Sequence, residues 1–326
     1  MDIIEKSVKK GKGEEQGVAA ILSSVVATTL GPGDETEAMF KDFSALLLTT
    51  MSDASSSPSV RGKCADAIGL NLFIHGDART TDTKDMEAVL DSLSSIFCGS
   101  CFKGNGQLQT NLTPATTAMH ASCLMSWSLL LTVQSTSMVI SLAERLGKKM
   151  SELLESPDVD LRIAAGETIA LLYEICREAD AEFELDNHYD LIDKLKQLAT
   201  DHQKFRAKKD RRVQRSSFRD ILKTVEDGRS PSEVIKFSRE RLCLDSWCKK
   251  RQYDSFCPIL GSGMNLHLTQ NDLLRDIFSM GSALVTENGT TKSSKFERHL
   301  ENVAAFKART KIRGKLRDKR ADVIDS

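Results

Sequence analysis

Aromatic side chains are scarce in this sequence: Phe, Trp and Tyr make up 6% of its 326 residues, with only two Trp and three Tyr. Sandwiches and barrels draw heavily on Tyr, Val and Thr for their pleated faces, so the scarcity argues against them. No apolar run reaches the roughly 20 residues of a membrane helix, and no secretory signal pattern appears. Neither a membrane nor an extracellular setting is expected.

The common catalytic motifs are also missing. There is no P-loop, GxGxxG, HExxH or nucleophile elbow. The histidines at 75, 120, 188, 202, 267 and 299 are dispersed without a paired acid and nucleophile, so each reads as a surface or satisfied interior residue. Glu174, Glu178, Glu182 and Glu184 read as solvated charge on the exposed sides of helices. No enzyme, small-molecule substrate or cofactor is expected.

Eight cysteines, at 64, 98, 101, 123, 176, 243, 248 and 257, are scattered through apolar surroundings, which suits a reducing compartment, cytoplasmic or also nuclear. Cys98-Gly-Ser-Cys101 has CxxC spacing, but no second CxxC or paired His follows it, and Cys243, Cys248 and Cys257 lack a fourth ligand. Buried free thiols are expected, and no metal.

What is abundant is helix-forming material. Leu, Ala, Ser and Ile dominate, and a 40% hydrophobic content is enough for a sizeable core. Apolar spacing predicts amphipathic helices over 15–30, 37–52, 58–75, 83–98, 114–132, 136–154, 159–179 and 189–200, with Thr36 and Glu37 opening the second. Gly31-Pro32-Gly33, Ser57-Pro58, Gly104-Asn105-Gly106 and Ser156-Pro157 separate them. A weak repeat joins two of these helices. Val60, Arg61, Cys64, Ala65, Ile68 and Leu70 are echoed 101 residues later by Leu161, Arg162, Ala165, Gly166, Ile169 and Leu171. The offset fits two to three HEAT or armadillo units, and a chance echo between amphipathic helices is the competing explanation. The fold class expected is all-α, an armadillo/HEAT-like helical repeat stack over 1–230.

Beyond residue 202 the character changes. Phe205, Val213, Phe218, Ile221, Leu222 and Val225 keep near-helical spacing in a basic stretch, predicting a helix that caps the stack. Its Lys208, Lys209, Arg211, Arg212 and Arg215 form a secondary basic patch, readable as an import signal or as a solvated face. Residues 231–284 form a small, mostly α C-terminal domain. A short strand or hairpin is predicted within 233–247, a helix capped by Asp245-Ser246-Trp247 runs to Leu260, and another spans 271–280. Residues 285–326 comprise a flexible link and a basic C-terminal helix.

A net charge of −1 conceals a division: residues 1–202 carry 17 Lys+Arg against 30 Asp+Glu, and residues 203–326 carry 28 against 16. Lys307, Arg309, Lys311, Arg313, Lys315, Arg317 and Lys319 occupy every second position, followed by Arg320. At about 100° per residue such a helix carries charge over most of its circumference, leaving a thin seam of Ala305, Ile312, Leu316 and Val323. A helix charged all round suits a channel walled by RNA backbones, where it displaces condensed counterions. A membrane-surface helix would need a broad apolar face. These eight side chains are the candidate RNA-binding residues, with ribosomal RNA the expected partner. A solubilising or import tail is the alternative. No RNP aromatics or GXXG loop point to base reading.

The segment Lys9-Lys-Gly-Lys-Gly-Glu-Glu-Gln16, the run Arg241-Leu-Cys-Leu-Asp-Ser-Trp247, Ile259-Leu-Gly-Ser-Gly-Met264 and Asn271-Asp-Leu-Leu-Arg-Asp-Ile-Phe278 resemble interferon-related developmental regulators, as do Phe296-Glu-Arg-His-Leu300, Ala304 to Lys311 and Arg317 to Asp322. The resemblance covers essentially the whole chain. It implies an armadillo-like N-terminal region, no enzymatic activity, and a link to cell differentiation by two routes: co-regulation of transcription with deacetylase-containing complexes, and association with translationally inactive ribosomes. Carried over, the ribosome-inserting helix corresponds to Phe306 through Arg320. Family members usually have further sequence before the Lys-Gly-Lys-Gly segment, so the first repeat here is expected to expose an apolar face.

Overall fold

The computed structural model describes residues 1–75, 83–107, 109, 111–200, 208–238 and 240–283, with only the backbone described at 35, 83–85 and 208–211. Residues Met1–Ala283 form one compact unit, and Leu284–Ser326, the second, lie outside the described residues.

The N-terminal two-thirds is built from helical pairs: α1 (Asp2–Lys10) with α2 (Glu14–Leu30), α3 (Asp34–Ser52) with α4 (Pro58–His75), α5 (Thr83–Phe97) with α6 (Pro114–Leu131), α7 (Thr136–Leu153) with α8 (Val159–Ala179), and α9 (His188–Thr200) with α10 (Lys208–Asp227). The second helices pack in sequence, α2 on α4, α4 on α6, α6 on α8 and α8 on α10, while their partners lie outside this row. Composition explains which helix goes where. α4 and α6 bury residues around their whole circumference, as a central helix must, whereas α7 and α9 bury one face through Val139, Leu142, Leu146 and Met150 or Leu191, Leu195 and Ala199.

Small residues set the spacing of the central row. A Cβ added to Gly69 of α4 would lie 2.6 Å from the Cβ of Ser126 and 3.0 Å from its Cα, so α4 and α6 approach almost backbone to backbone. A Cβ at Gly166 of α8 would meet Phe218 and Ile221 of α10 at 2.8 Å. The echoed residues occupy equivalent settings two pairs apart, since Val60, Cys64, Ala65, Ile68 and Leu70 are buried like Leu161, Ala165, Ile169 and Leu171. Arg61 and Arg162 each donate back to a carbonyl before their own helix, at Met51 and Ser156 respectively. The observed fold is all-α and repeat-like.

Helix starts follow local chemistry. Thr113, Ser135 and Asp158 accept from Thr116, Met138 and Leu161 backbone N–H groups, and Pro114 sits where no backbone donor is needed. Two expectations need correction. α3 opens at Asp34 after Gly33 rather than at Thr36, whose hydroxyl instead donates to the Gly33 carbonyl at 2.8 Å. α1 was not expected at all; its two turns bury only Ile4 and Val8. Ile3, Val18, Leu22 and Leu30 are exposed on the first pair.

The C-terminal part of this unit begins with an antiparallel hairpin of β1 (Glu233–Phe237) and β2 (Glu240–Leu244), pairing Glu233 with Leu244 and Phe237 with Glu240. α11 (Trp247–Leu260), a 3-10 turn at Gly261–Gly263, α12 (Met264–Gln270) and α13 (Asp272–Ile277) follow. Ser246 caps α11 as expected, accepting from Lys249 N–H at 3.1 Å. α12 was not expected, because Gly261-Ser-Gly263 reads as a break, whereas the turn carries the chain directly into another helix. A lone hairpin is marginal in water. Here Phe237, Leu242 and Leu244 share a core with Phe256, Met264, Leu268, Leu274 and Phe278, and with Phe40, Leu70 and Leu129 of the helical pairs. Arg275, almost fully buried, holds Glu240 of β2 by two hydrogen bonds, at 2.8 and 3.1 Å.

No helix among the described residues is long and apolar enough to cross a membrane. The cysteines are free, but not all buried, since the alternation of β2 puts Cys243 on its exposed face.

Candidate nucleic-acid interface

Lys307, Arg309, Lys311, Arg313, Lys315, Arg317, Lys319 and Arg320 lie outside the described residues. The secondary basic patch lies on α10. Lys208, Lys209 and Arg211 belong to its first turn by their backbone, and the side chains of Arg212 and Arg215 are described.

A strict apolar stripe orients α10. Phe218, Ile221 and Val225 are completely buried against α8 and α9, and the buried polar Gln214 continues the line one turn earlier, accepting from the Arg162 guanidinium at 2.6 Å. Val213, expected on this stripe, is 47% exposed; the helix turns Gln214 inward instead. Arg212 and Arg219 are exposed, while Arg215 is half-buried and engaged with a partner. One turn further on, Lys223 pairs with Asp220 at 3.0 Å. Among the described side chains, the exposed face therefore presents Arg212 near its start and Arg219 in its middle, followed by a neutralised pair.

The ends of α10 and α11 are fixed by α8. Arg177 donates to the carbonyls of Thr224 and Val225 at 2.9 and 3.0 Å, ending α10 with a cation where the helix dipole is negative. Glu174, expected to be solvated, is half-buried and accepts from the backbone N–H groups of Trp247 and Cys248 at 2.8 and 2.9 Å, capping α11. Glu167 receives Arg251 at 2.9 Å and Lys250 at 3.4 Å. Sequence reasoning missed these carboxylates because their partners are 73 to 84 residues away. Glu178, Glu182 and Glu184 are exposed as expected.

Among the described residues, no group of three or more His, Cys, Asp or Glu side chains could hold a metal ion. His120 Nδ1 shares a hydrogen bond with the Ser100 hydroxyl at 2.6 Å, and Tyr173 pairs with His188 at 2.8 Å. Both histidines are satisfied interior residues, as expected. His75 is not: it is buried, and neither ring nitrogen has a partner.

The family described as Interferon-related developmental regulator matches residues 1–226, and the Interferon-related protein conserved region matches residues 271–321. The chain is similar to Interferon-related developmental regulator 2 of Mus musculus, 42% identical over 327 residues that cover 99% of this chain and 73% of the relative. It is also similar to Interferon-related developmental regulator 1 of Sus scrofa, 45% identical over 325 residues, and of Homo sapiens, 44% identical over 325 residues. Both of these alignments cover 99% of this chain and 71% of the relative.

Proposed function

The chain belongs to the interferon-related developmental regulator family, and from that premise we propose that it is a non-enzymatic regulator that binds ribosomes and represses translation through its basic C-terminal segment. The observation that carries this reading is the placement of Lys or Arg at every second position from 307 to 319, inside the conserved region that spans 271–321. Charge spread around a helix in this way is suited to phosphates on several sides, and each contact releases condensed cations. The acidic helical pairs, an armadillo- or HEAT-like stack in this reading, would repel RNA and dock on ribosomal protein. Arg212 and Arg219 of α10 supply a second, smaller cationic surface.

Replacing Lys307, Arg309, Lys311 and Arg313 by Glu is expected to abolish co-sedimentation with ribosomes. The wild-type chain should release steeply between about 50 and 200 mM salt. Unchanged co-sedimentation of the variant at moderate salt would reject the reading. A scaffold for transcriptional co-regulators in deacetylase-containing complexes is the competing role, favoured by the repeat echo and the Lys208 to Arg212 cluster. Capture of partners that survives RNase, together with nuclear retention, would support that role instead.

A further inference from the structure

The Cys98-Gly-Ser-Cys101 segment, which the ribosome reading leaves unused, follows α5 as a 3-10 turn. Its Cys101 N–H donates to the Cys98 carbonyl at 3.0 Å, and a turn closed this way keeps its outer Cα atoms within about 7 Å. Disulfides span about 4.4–6.8 Å between Cα atoms. The side chains meet as well, since the Cys101 thiol hydrogen-bonds to the Cys98 sulfur. Both cysteines are free, and the backbone already holds them close to bridging distance.

Two neighbouring helices fix this turn. Ser100 shares its 2.6 Å hydrogen bond with His120 of α6, and a Cβ on Gly99 would lie 3.0 Å from the same ring. On the α7 side, Phe102 N–H donates to Glu152 Oε2 at 3.0 Å. The single Cys101 S–H proton has two acceptors in reach, the Lys149 carbonyl at 3.6 Å and the Cys98 sulfur.

The two thiols differ in access and in acidity. Cys101 is 4% exposed, whereas Cys98 is half-buried beside the exposed Gly99, so a reagent reaches Cys98 first. The hydrogen bond between them lowers the Cys98 pKa and raises that of Cys101; at Cys98, Lys149 and Arg145 add to the lowering, while burial and Glu152 oppose it. Burial raises the thiols of Cys64, Cys123, Cys176, Cys248 and Cys257. Cys243 is exposed on β2 and has no cysteine three residues away. An accessible thiol with a stabilised anion, beside a protonated one, divides the work as attacking and resolving cysteines do.

We propose that Cys98 and Cys101 form a thiol–disulfide exchange site that takes a small disulfide, with Cys98 attacking and Cys101 resolving. The Cys98 thiolate attacks one sulfur of oxidised glutathione and breaks its S–S bond, leaving a mixed disulfide on Cys98 and releasing one glutathione thiolate. Cys101 then attacks the Cys98 sulfur, the mixed S–S bond breaks, and the second glutathione departs. Both thiol protons end on the two glutathiones, so the cysteine pair loses two electrons and two protons and the reagent gains them. A reducing compartment keeps the pair as dithiol, and the disulfide forms when that poise shifts.

Oxidised glutathione is the probe, added to the native full chain near neutrality, with acid quenching and peptide mass spectrometry as the readout. The tryptic segment 85–103 contains Cys98, Cys101 and no other cysteine. In the wild-type chain it should lose two hydrogens and regain them with dithiothreitol. Cys243 should gain only bound glutathione, and the fully buried Cys64, Cys123 and Cys176 should stay unmodified. Cys101→Ser should stop at glutathione on residue 98, and Cys98→Ser should give neither product. Serine keeps a donor toward the Lys149 carbonyl in the first variant, and the wild-type result tests the pair even if a variant fails to fold. The proposal is overturned if segment 85–103 stays a dithiol while Cys243 reacts, if Cys101 takes up glutathione as fast in Cys98→Ser as Cys98 does in Cys101→Ser, or if Cys64, Cys123 and Cys176 react together with Cys98.

Discussion

Glu174→Ala tests how α11 is held to the helical pairs. The carboxylate accepts two backbone N–H groups at the first turn of α11, at 2.8 and 2.9 Å, and meets the positive end of that helix. A hydrogen bond to a charged group contributes about 1.5–3 kcal/mol, and an anion at a helix start adds about 0.3–1. Because Glu174 is half-buried, the low end applies, giving a destabilisation of about 3 kcal/mol. Gln at this position keeps one acceptor and turns a donor toward the second N–H, so it should cost about half as much. Urea unfolding measures the total. Amide hydrogen exchange at Trp247 and Cys248 isolates the local part, where protection should fall by about a hundredfold in the Ala variant. A cost below about 0.5 kcal/mol with unchanged exchange would show that Phe256 and the Arg251–Glu167 pair hold α11 unaided, refuting the capping argument.

Acid sensitivity follows from three buried groups. Burial lowers His75 and His120 to about 4 and raises Asp66 to about 6. Between roughly pH 4 and 6 the unfolded chain therefore holds two more protons on the histidines and one fewer on the aspartate, so stability should rise with pH by about 1.4 kcal/mol per unit. Urea midpoints at three pH values across that window check this, and a flat or falling trend would contradict it. Gly69→Ala should cost about 1–3 kcal/mol, because its new Cβ meets Ser126 backbone that cannot rotate away. Thermal melting would read the loss, and Ser126→Gly in the same chain should recover part of it.

The helices were legible where the chain repeats its apolar spacing and punctuates it with Gly-Pro, Ser-Pro or Gly-Asn-Gly. Pro58 and Pro114 each stand at the first residue of the helix they were expected to open. Short elements escaped for a physical reason. α1 offers two buried side chains over nine residues, too few to separate a period from chance, and α12 hides behind two glycines that usually end a helix. Phe205, the first residue expected on the α10 stripe, lies outside the described residues; from Phe218 to Val225 the stripe is as expected, and at Val213 the inward position goes to Gln214, which accepts from Arg162 52 residues away. Glu174 and His75 were misread on the same principle. A residue's type says that it can be charged or polar, whereas its partner, or the lack of one, is set by elements far along the chain.

Within three turns α8 carries Glu167, Glu174 and Arg177, which anchor α11, start it, and finish α10. Its length is consequently not a free variable. One residue more or fewer between 167 and 177 would rotate the later groups by about 100° against the earlier one and unfasten two neighbours together. Changes in chain length are better absorbed at joints such as the exposed turn closed by Lys103 and Gln107, whose hydrogen bonds among the described residues are all its own. Length variants in this protein should therefore cluster between helices and spare the interior of α8.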